Sequence, residues 1–403
     1  MEDDQVRSGY TVVVNGDRIV AVGPSADIEV PADALVIEGN GRYLMPGLAE
    51  MHGHVPSAGG NQQAVEETLF LYVAAGVTTV RGMLGYDGQL ALRERAAAGE
   101  VISPTLYLAG PSFSGNSVDS PEQAAEMVKR QVAEGWNLLK IHPGLTRAEY
   151  DAMARTAADE GIRFGGHVPA EVGLEHAIDM GQETFDHLDG YVEALNGAAG
   201  PVDESALDAI VTRTIEAGAW VVPTMVLWET LYGTSSLSEL QSFDELKYVS
   251  PQSVESWSNS FRSRVDNPDY DPLEAAMVID NRMRILRALN DSGARILMGT
   301  DAPQQFSVPG FSLHREIRRM VEAGMTPYEV IQSGSVNVGA YFANEDNFGT
   351  ITQGKRADML LVEGNPLADV ANVENLEGVM VRGRWLPRTE IDATLAEIAA
   401  RHR

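Results

Sequence analysis

The run Leu44-Met45-Pro46-Gly47-Leu48-Ala49-Glu50-Met51-His52, continued by Gly53-His54, decides how the chain is read. It is near-continuously apolar, as a strand buried on both faces should be, and it ends in residues that carry chemistry. Seven comparable runs follow: Val77–Arg81, Thr105–Ala109, Asn137–His142, Arg163–Val168, Glu183–Leu188, Trp220–Met225 and Arg295–Asp301. Helical patterns fall between them at Gln62–Ala75, Gly88–Ala98, Pro121–Ala133, Arg147–Glu160, Leu174–Met180, Glu204–Ala217 and Leu273–Asn290. Pro121 and Glu122 after Ser120 make a helix start. Eight βα units predict an α/β chain folded as a (β/α)8 TIM barrel. The competing doubly wound sheet needs a glycine-rich phosphate loop after its first strand, and no G-x-G-x-x-G or Walker sequence follows Leu44–His52.

Both ends of the chain read differently. Tyr10–Val14 alternates, Asn15-Gly16-Asp17 is a turn signal, and Arg18–Val22 alternates again. Gly349–Ile351, Ala357–Val362, Gly378–Arg382 and Trp385 repeat the pattern. Residues 1–46 and 349–388 are therefore expected to form one accessory β-module around a barrel of residues 47–348. A tail helix over 389–403 carries Ile391, Leu395 and Ile398 at helical spacing. The seventh unit is enlarged over 226–272, and its Trp228, Tyr232, Trp257, Phe261 and Tyr270 favour an ordered lid over a disordered insert.

Composition excludes several function classes. The 403 residues hold 30 Lys+Arg against 58 Asp+Glu, a formal charge of −28, and such a chain repels nucleic acid. The absence of cysteine removes disulfides, thiolate nucleophiles and Cys-ligated zinc. No run of 18 apolar residues exists to span a membrane. The acidity is read as a solvated face, as in proteins adapted to salt. Only four lysines occur, Lys129, Lys140, Lys247 and Lys355, so each is worth locating.

The histidines supply the next clue. Of eight, His52, His54, His142, His167 and His187 fall at the C-terminal ends of predicted strands, where a barrel carries its active site. His176, His314 and His402 are expected to be solvated. His52 and His54 are two apart and share a face, so both can grip one ion, although an H-x-H pair also occurs in polar loops. Lys140 lies deep in Trp136-Asn137-Leu138-Leu139-Lys140-Ile141-His142. Burial of an ammonium is costly and drives its pKa down. A neutral amine reacts with carbon dioxide to give a carbamate whose two oxygens can bridge two cations. The plainer alternative is a lysine paired with a buried carboxylate. Asp301 ends Leu297-Met298-Gly299-Thr300-Asp301 and could simply cap a turn. Together these residues converge on one mouth, and imidazole with hard oxygen ligands suits zinc, manganese, iron, cobalt or nickel.

On the Leu44–His54 motif, Lys140, His167, His187 and Gly299-Thr300-Asp301, the chain resembles the amidohydrolase superfamily in its binuclear form with a carboxylated lysine. Gly349-Thr350-Ile351-Thr352-Gln353-Gly354-Lys355-Arg356-Ala357-Asp358 and Gly364-Asn365-Pro366-Leu367 match that family's return into a composite β-sandwich. The likeness is to the imidazolonepropionase-like branch, with its Xaa-Pro dipeptidases and ochratoxin hydrolases. Two positions depart from it. Glu50-Met51 and Arg81-Gly82 stand where many members carry aspartates. Met1 falls where relatives are already inside the accessory module, which leaves compartment open between the cytoplasm and export.

The resemblance implies a ligand set and a mechanism. His52, His54 and Asp301 hold the more buried of two divalent ions, zinc first among the choices, and His167 and His187 hold the more exposed one. Lys140, carboxylated by carbon dioxide, and a hydroxide bridge them. The hydroxide attacks an amide of dipeptide or N-acyl amino acid type, and Asp301 shuttles the proton to the leaving amine. His142 either hydrogen-bonds substrate or orients the carbamate, or is simply packed. Tyr191 either binds the substrate carbonyl or carboxylate, or covers the core. Arg81 is a candidate local cation for a substrate carboxylate. The lid aromatics Trp228, Tyr232 and Trp257 suit an apolar group on the substrate and equally suit contacts in a homo-oligomer, the expected assembly. The alternatives are a mononuclear cyclic-amide hydrolase or deaminase of the same superfamily, and a catalytically dead scaffold. Deaminase-type sites do not use a lysine on the fourth strand, and scaffolds have usually lost ligands.

Overall fold

The computed structural model describes residues 3–57 and 59–402. Its strands are β1 (Tyr10–Asn15), β2 (Arg18–Pro24), β3 (Tyr43–Pro46), β4 (Leu48–Gly53), β5 (Val77–Gly82), β6 (Thr105–Leu108), β7 (Leu139–Ile141), β8 (Phe164–Gly166), β9 (Thr184–Asp186), β10 (Trp220–Val222), β11 (Arg295–Ile296), β12 (Met359–Val362), β13 (Leu376–Val381) and β14 (Arg384–Pro387). Strands β4 to β6 pair in parallel, as do β7 to β11. A parallel bridge from Ala109 to Leu138 joins the two groups at one seam. At the other seam Met51 N–H donates to Met298 O at 2.8 Å and Asp301 N–H to His52 O at 2.6 Å. The sheet thus closes into the (β/α)8 barrel.

The sequence explains why these elements form. Leu48, Met51, Val80, Leu139, Ile141, Phe185, Val221 and Leu297 are all sealed from solvent. Each such side chain stabilises the fold by roughly 1.5–3 kcal/mol. Outer helices start where the capping residues stand. Ser120 accepts from Gln123 N–H at 3.2 Å ahead of Pro121–Glu134, and Thr146 forms a capping box with Glu149 ahead of Arg147–Glu160.

The first apolar run divides into two strands. Leu44 and Met45 pair antiparallel with Leu361 and Leu360 of β12, and the barrel strand begins only at Leu48. Gly47 makes the crossing: a Cβ there would stand 2.2 Å from Thr78 Oγ1, so only glycine passes. The four-stranded sheet β14-β13-β12-β3 joins Tyr43–Pro46 to the C-terminal strands, while β1 and β2 pair as a separate antiparallel hairpin. Gly349–Ile351, expected to be a strand, runs as a bend because Gly349 sits at φ +91°, outside strand geometry.

The enlarged loop is ordered into helices at Met225–Tyr232, Leu237–Leu240 and Pro251–Val265, with Leu240, Phe261 and Phe306 as a small core of their own. The tail helix Arg388–Arg401 buries Ile391, Leu395 and Ile398. Among the described residues no helix is long and apolar enough to cross a membrane.

Candidate active site

The C-terminal ends of β4, β7, β8 and β9 and the segment after β11 bring His52, His54, Lys140, His167, His187 and Asp301 into one cluster. Asp301 Oδ1 lies 2.5 Å from His54 Nε2 and 3.7 Å from His52 Nε2, and Asp301 Oδ2 lies 3.6 Å from His187 Nε2. Lys140 Nζ is 3.0 Å from His52 Nε2. The imidazole of His187 stands 4.3 Å from that of His52 and 4.6 Å from that of His167, centroid to centroid. His142 is half-buried, 5.1 Å from the His167 ring. Tyr191 is not among them. It is fully buried, and its hydroxyl bonds Thr214 Oγ1 at 2.8 Å.

A further layer, which the sequence reading did not single out, fixes the rings. His52 Nδ1 lies 2.8 Å from Asp186 Oδ2, and Asp186 is held in turn by both terminal contacts of Arg81 Nη2, at 3.0 and 3.1 Å. His167 Nδ1 meets Asp189 Oδ2 at 2.6 Å. His187 Nδ1 meets Thr224 Oγ1 at 2.8 Å. With the Nδ1 sides of His167 and His187 hydrogen-bonded and that of His52 facing Asp186, the Nε2 side of His52 and His187 turns inward. Asp186 stands immediately before His187 and Asp189 two residues after it, so position beside a strand-end histidine is the signal that could have found them. Glu50 clamps the two sides of the barrel seam, accepting from Thr300 N–H at 2.7 Å, Thr300 O–H at 2.6 Å and His52 N–H at 3.1 Å.

Arg81 is fully buried, donating to Met51 O, Thr184 Oγ1 and Asp186, and so has no group left for substrate. His314 is buried with Nε2 2.9 Å from Ala75 O, because the helix Phe311–Glu322 turns Leu313, His314 and Ile317 to one inner face. His176 is held between Asp151 at 2.6 Å and Arg147 at 2.7 Å, and is not freely solvated. Of the lid aromatics, Trp228 reaches the site, its ring 6.1 Å from His187, while Trp257 packs on Phe306 inside the insert.

The electrostatics favour ligand forms. Burial, then the Lys140 charge, push His52 well below the ordinary histidine range, and burial with His52 does the same to His187, so both imidazoles are neutral. Burial opposes ionisation of Asp301, yet His52 and His54 hold its carboxyl below the usual range. Burial lowers Lys140 to about 8, against the pull of Asp186 and Asp301. Burial and then Lys140 lower His142 to about 3.

His187 Nε2 is buried without a hydrogen-bond partner among the described residues. Ligand atoms of His52, His187 and Asp301 all lie within 4.8 Å of one another. A neutral imidazole nitrogen left bare beside a carboxylate suits a cation and would otherwise be a costly orphan. The residues fit.

The sequence profile of the amidohydrolase family matches residues 43–386. The chain belongs to the amidohydrolase family. Among its amidohydrolase relatives is an adenine deaminase of Ruegeria sp. (strain TM1040), 24% identical over 371 residues that cover 89% of this chain and 51% of that one. The chain thus spans about half the length of such deaminases. An imidazolonepropionase of Streptomyces griseus is 25% identical over 379 residues, covering 87% of this chain and 85% of that one. A crystal structure of a Xaa-Pro dipeptidase with bound methionine in the active site matches with a TM-score of 0.69 and 23% identity, covering 96% of this chain and 97% of that one. At that identity the likeness carries the amidohydrolase fold alone.

Proposed function

We propose that the chain hydrolyses an amide C–N bond of dipeptide or N-acyl amino acid type with two divalent cations. The observation that carries this reading is Lys140, fully buried 3.0 Å from His52 Nε2. With its pKa lowered toward 8, the amine is available neutral. Its nitrogen then adds to the carbon of carbon dioxide, a proton leaves, and a carbamate with two oxygen donors results.

In this reading His52, His54 and Asp301 would hold one cation and His167 and His187 a second, with carboxylated Lys140 a ligand to both. When bound, two such cations supply a polarised scissile carbonyl and a water acidified toward neutral pH. The protein's own residues do the rest. Asp301, ionised and at the centre of the cluster, accepts the proton of the attacking water and returns it to the leaving amine. Asp189 and Thr224 hold His167 and His187 in one orientation by hydrogen bonds, with Asp186 beside His52, which conserves the geometry through the reaction. His142, neutral and half-exposed, offers a hydrogen bond to the substrate carbonyl.

The second reading, a deaminase or a mononuclear cyclic-amide hydrolase, is favoured by the adenine deaminase likeness. Lys140 speaks against it. A library of dipeptides and N-acyl amino acids, assayed with added zinc or manganese alongside adenine, separates the two. Cleavage of an amide supports the first. Inactivity across the library with ammonia released from adenine supports the second.

A further inference from the structure

Arg282 comes from the helix Pro272–Asp291 and reaches the rear of the site, where it is 2% exposed. Its Nη1 donates to the carbonyl of His187, and its guanidinium lies 4.0 Å from the centre of the Trp228 ring. Among the described residues its Nε is buried with no hydrogen-bond partner and no carboxylate is in ion-pair contact with it. The nearby Asp189 is already engaged by His167. Trp228 repeats the pattern: its Nε1 is also buried without a partner, and its ring stands edge-on to His187 at 6.1 Å. Tyr232 flanks it, ring to ring at 5.6 Å.

Two buried donors left bare in one stack, one of them on a cation without an ion pair among the described residues, are costly features unless something accepts from them. The acceptor they suit is an anion with two oxygens, since a guanidinium edge matches a carboxylate. A chain of net charge −28 repels such an anion at long range, so a local cation is required to seat it. Arg81, the other buried arginine of the site, is occupied by Asp186.

We propose that Arg282 and Trp228 form the specificity-determining seat for a carboxylate on the substrate, placed beside His187. The proposal rests on the hydrolase reading for its setting and names the group that reading leaves unassigned. Because the bare donors are covered in the free protein, seating the carboxylate requires the Met225–Tyr232 helix to yield.

The test is equilibrium binding by calorimetry to the wild-type protein stripped of metal with a chelator, which avoids turnover and keeps any cation from seating the probe itself. The probes are N-benzoyl-L-phenylalanine and its carboxamide, identical except for the charge. The acid is expected to bind at least about tenfold more tightly, the scale of one charged hydrogen bond. Arg282→Gln is expected to weaken the acid by about tenfold or more while leaving the carboxamide within about threefold. Trp228→Phe keeps the ring under the guanidinium and removes the Nε1–H, and is expected to weaken the acid alone by a few-fold. Equal affinities in the parent, no binding of either probe, or an undiminished acid preference in the variants overturns the proposal. Should Arg282→Gln not fold, Trp228→Phe decides. Because no turnover is needed, failure of the wild-type protein to cleave amides would refute the hydrolase reading and leave this result standing.

Discussion

Lys140 Nζ stands 3.0 Å from His52 Nε2, and both side chains are sealed from solvent. An amine buried against a neutral imidazole is costly, and the pull of Asp186 and Asp301 offsets the burial only in part. It becomes intelligible when the lysine acts as a precursor of a metal-bridging group.

Replacing Lys140 by methionine should therefore spare the fold and remove the chemistry. The far-ultraviolet circular dichroism is expected to be unchanged, and kcat/KM to fall at least about 10³-fold, since several kcal/mol of transition-state stabilisation depend on the cations it helps to hold. Bound metal should fall in parallel.

Asp301→Asn keeps the shape of the side chain and removes its basicity. Turnover is expected to fall by about 10²–10⁴-fold with the thermal midpoint preserved. An active Asp301→Asn enzyme would remove Asp301 from the role of proton shuttle.

The Arg81–Asp186 pair allows a stability prediction. Arg81→Met leaves a fully buried carboxylate uncompensated and should cost roughly 3–5 kcal/mol in urea unfolding. The double variant Arg81→Met/Asp186→Leu should recover most of that stability. It should still lose about 10–100-fold in activity, because His52 then lacks its orienting carboxylate.

Glu316 gives a pH signature away from the histidine cluster. It is fully buried and accepts from Met225 N–H at 2.8 Å and Val226 N–H at 2.9 Å, capping the helix that carries Trp228. Burial outweighs those bonds and raises its pKa to about 8 from 4.5. The folded state therefore retains a proton that the unfolded state releases. The stability linked to it is complete below pH 4.5 and is lost as pH rises through 8. Glu316→Gln cannot lose a proton, so the stability advantage of wild type over this variant should shrink between pH 6 and pH 9. Thermal melts across that range check it, and a constant difference would contradict it.

Much of this arrangement was legible in the sequence, for a physical reason. Barrel strands are buried on both faces, so apolar runs mark them, and their C-terminal ends mark the mouth. That placed His52, His54, Lys140, His167, His187 and Asp301 at one mouth, where the folded chain has them. Continuity of hydrophobicity misled at Leu44–Leu48, where two strands of different sheets adjoin and only Pro46-Gly47 marks the change. Residues that reach the site from helices left no such trace. Arg282 looks like any helical arginine until its ring partner Trp228 is seen, and His314 reads as exposed until the inner face of its helix is known. Arg81 looked free because its partner Asp186 is 105 residues away.

The central claim is that Lys140 joins two cations held by His52, His54, His167, His187 and Asp301. Its most direct test is the number of metal ions per chain, measured by plasma mass spectrometry on protein prepared with zinc and bicarbonate. Two ions per chain are expected in the wild type, with fewer than two in Lys140→Met. One ion, or none, in the metal-replete wild type would contradict it.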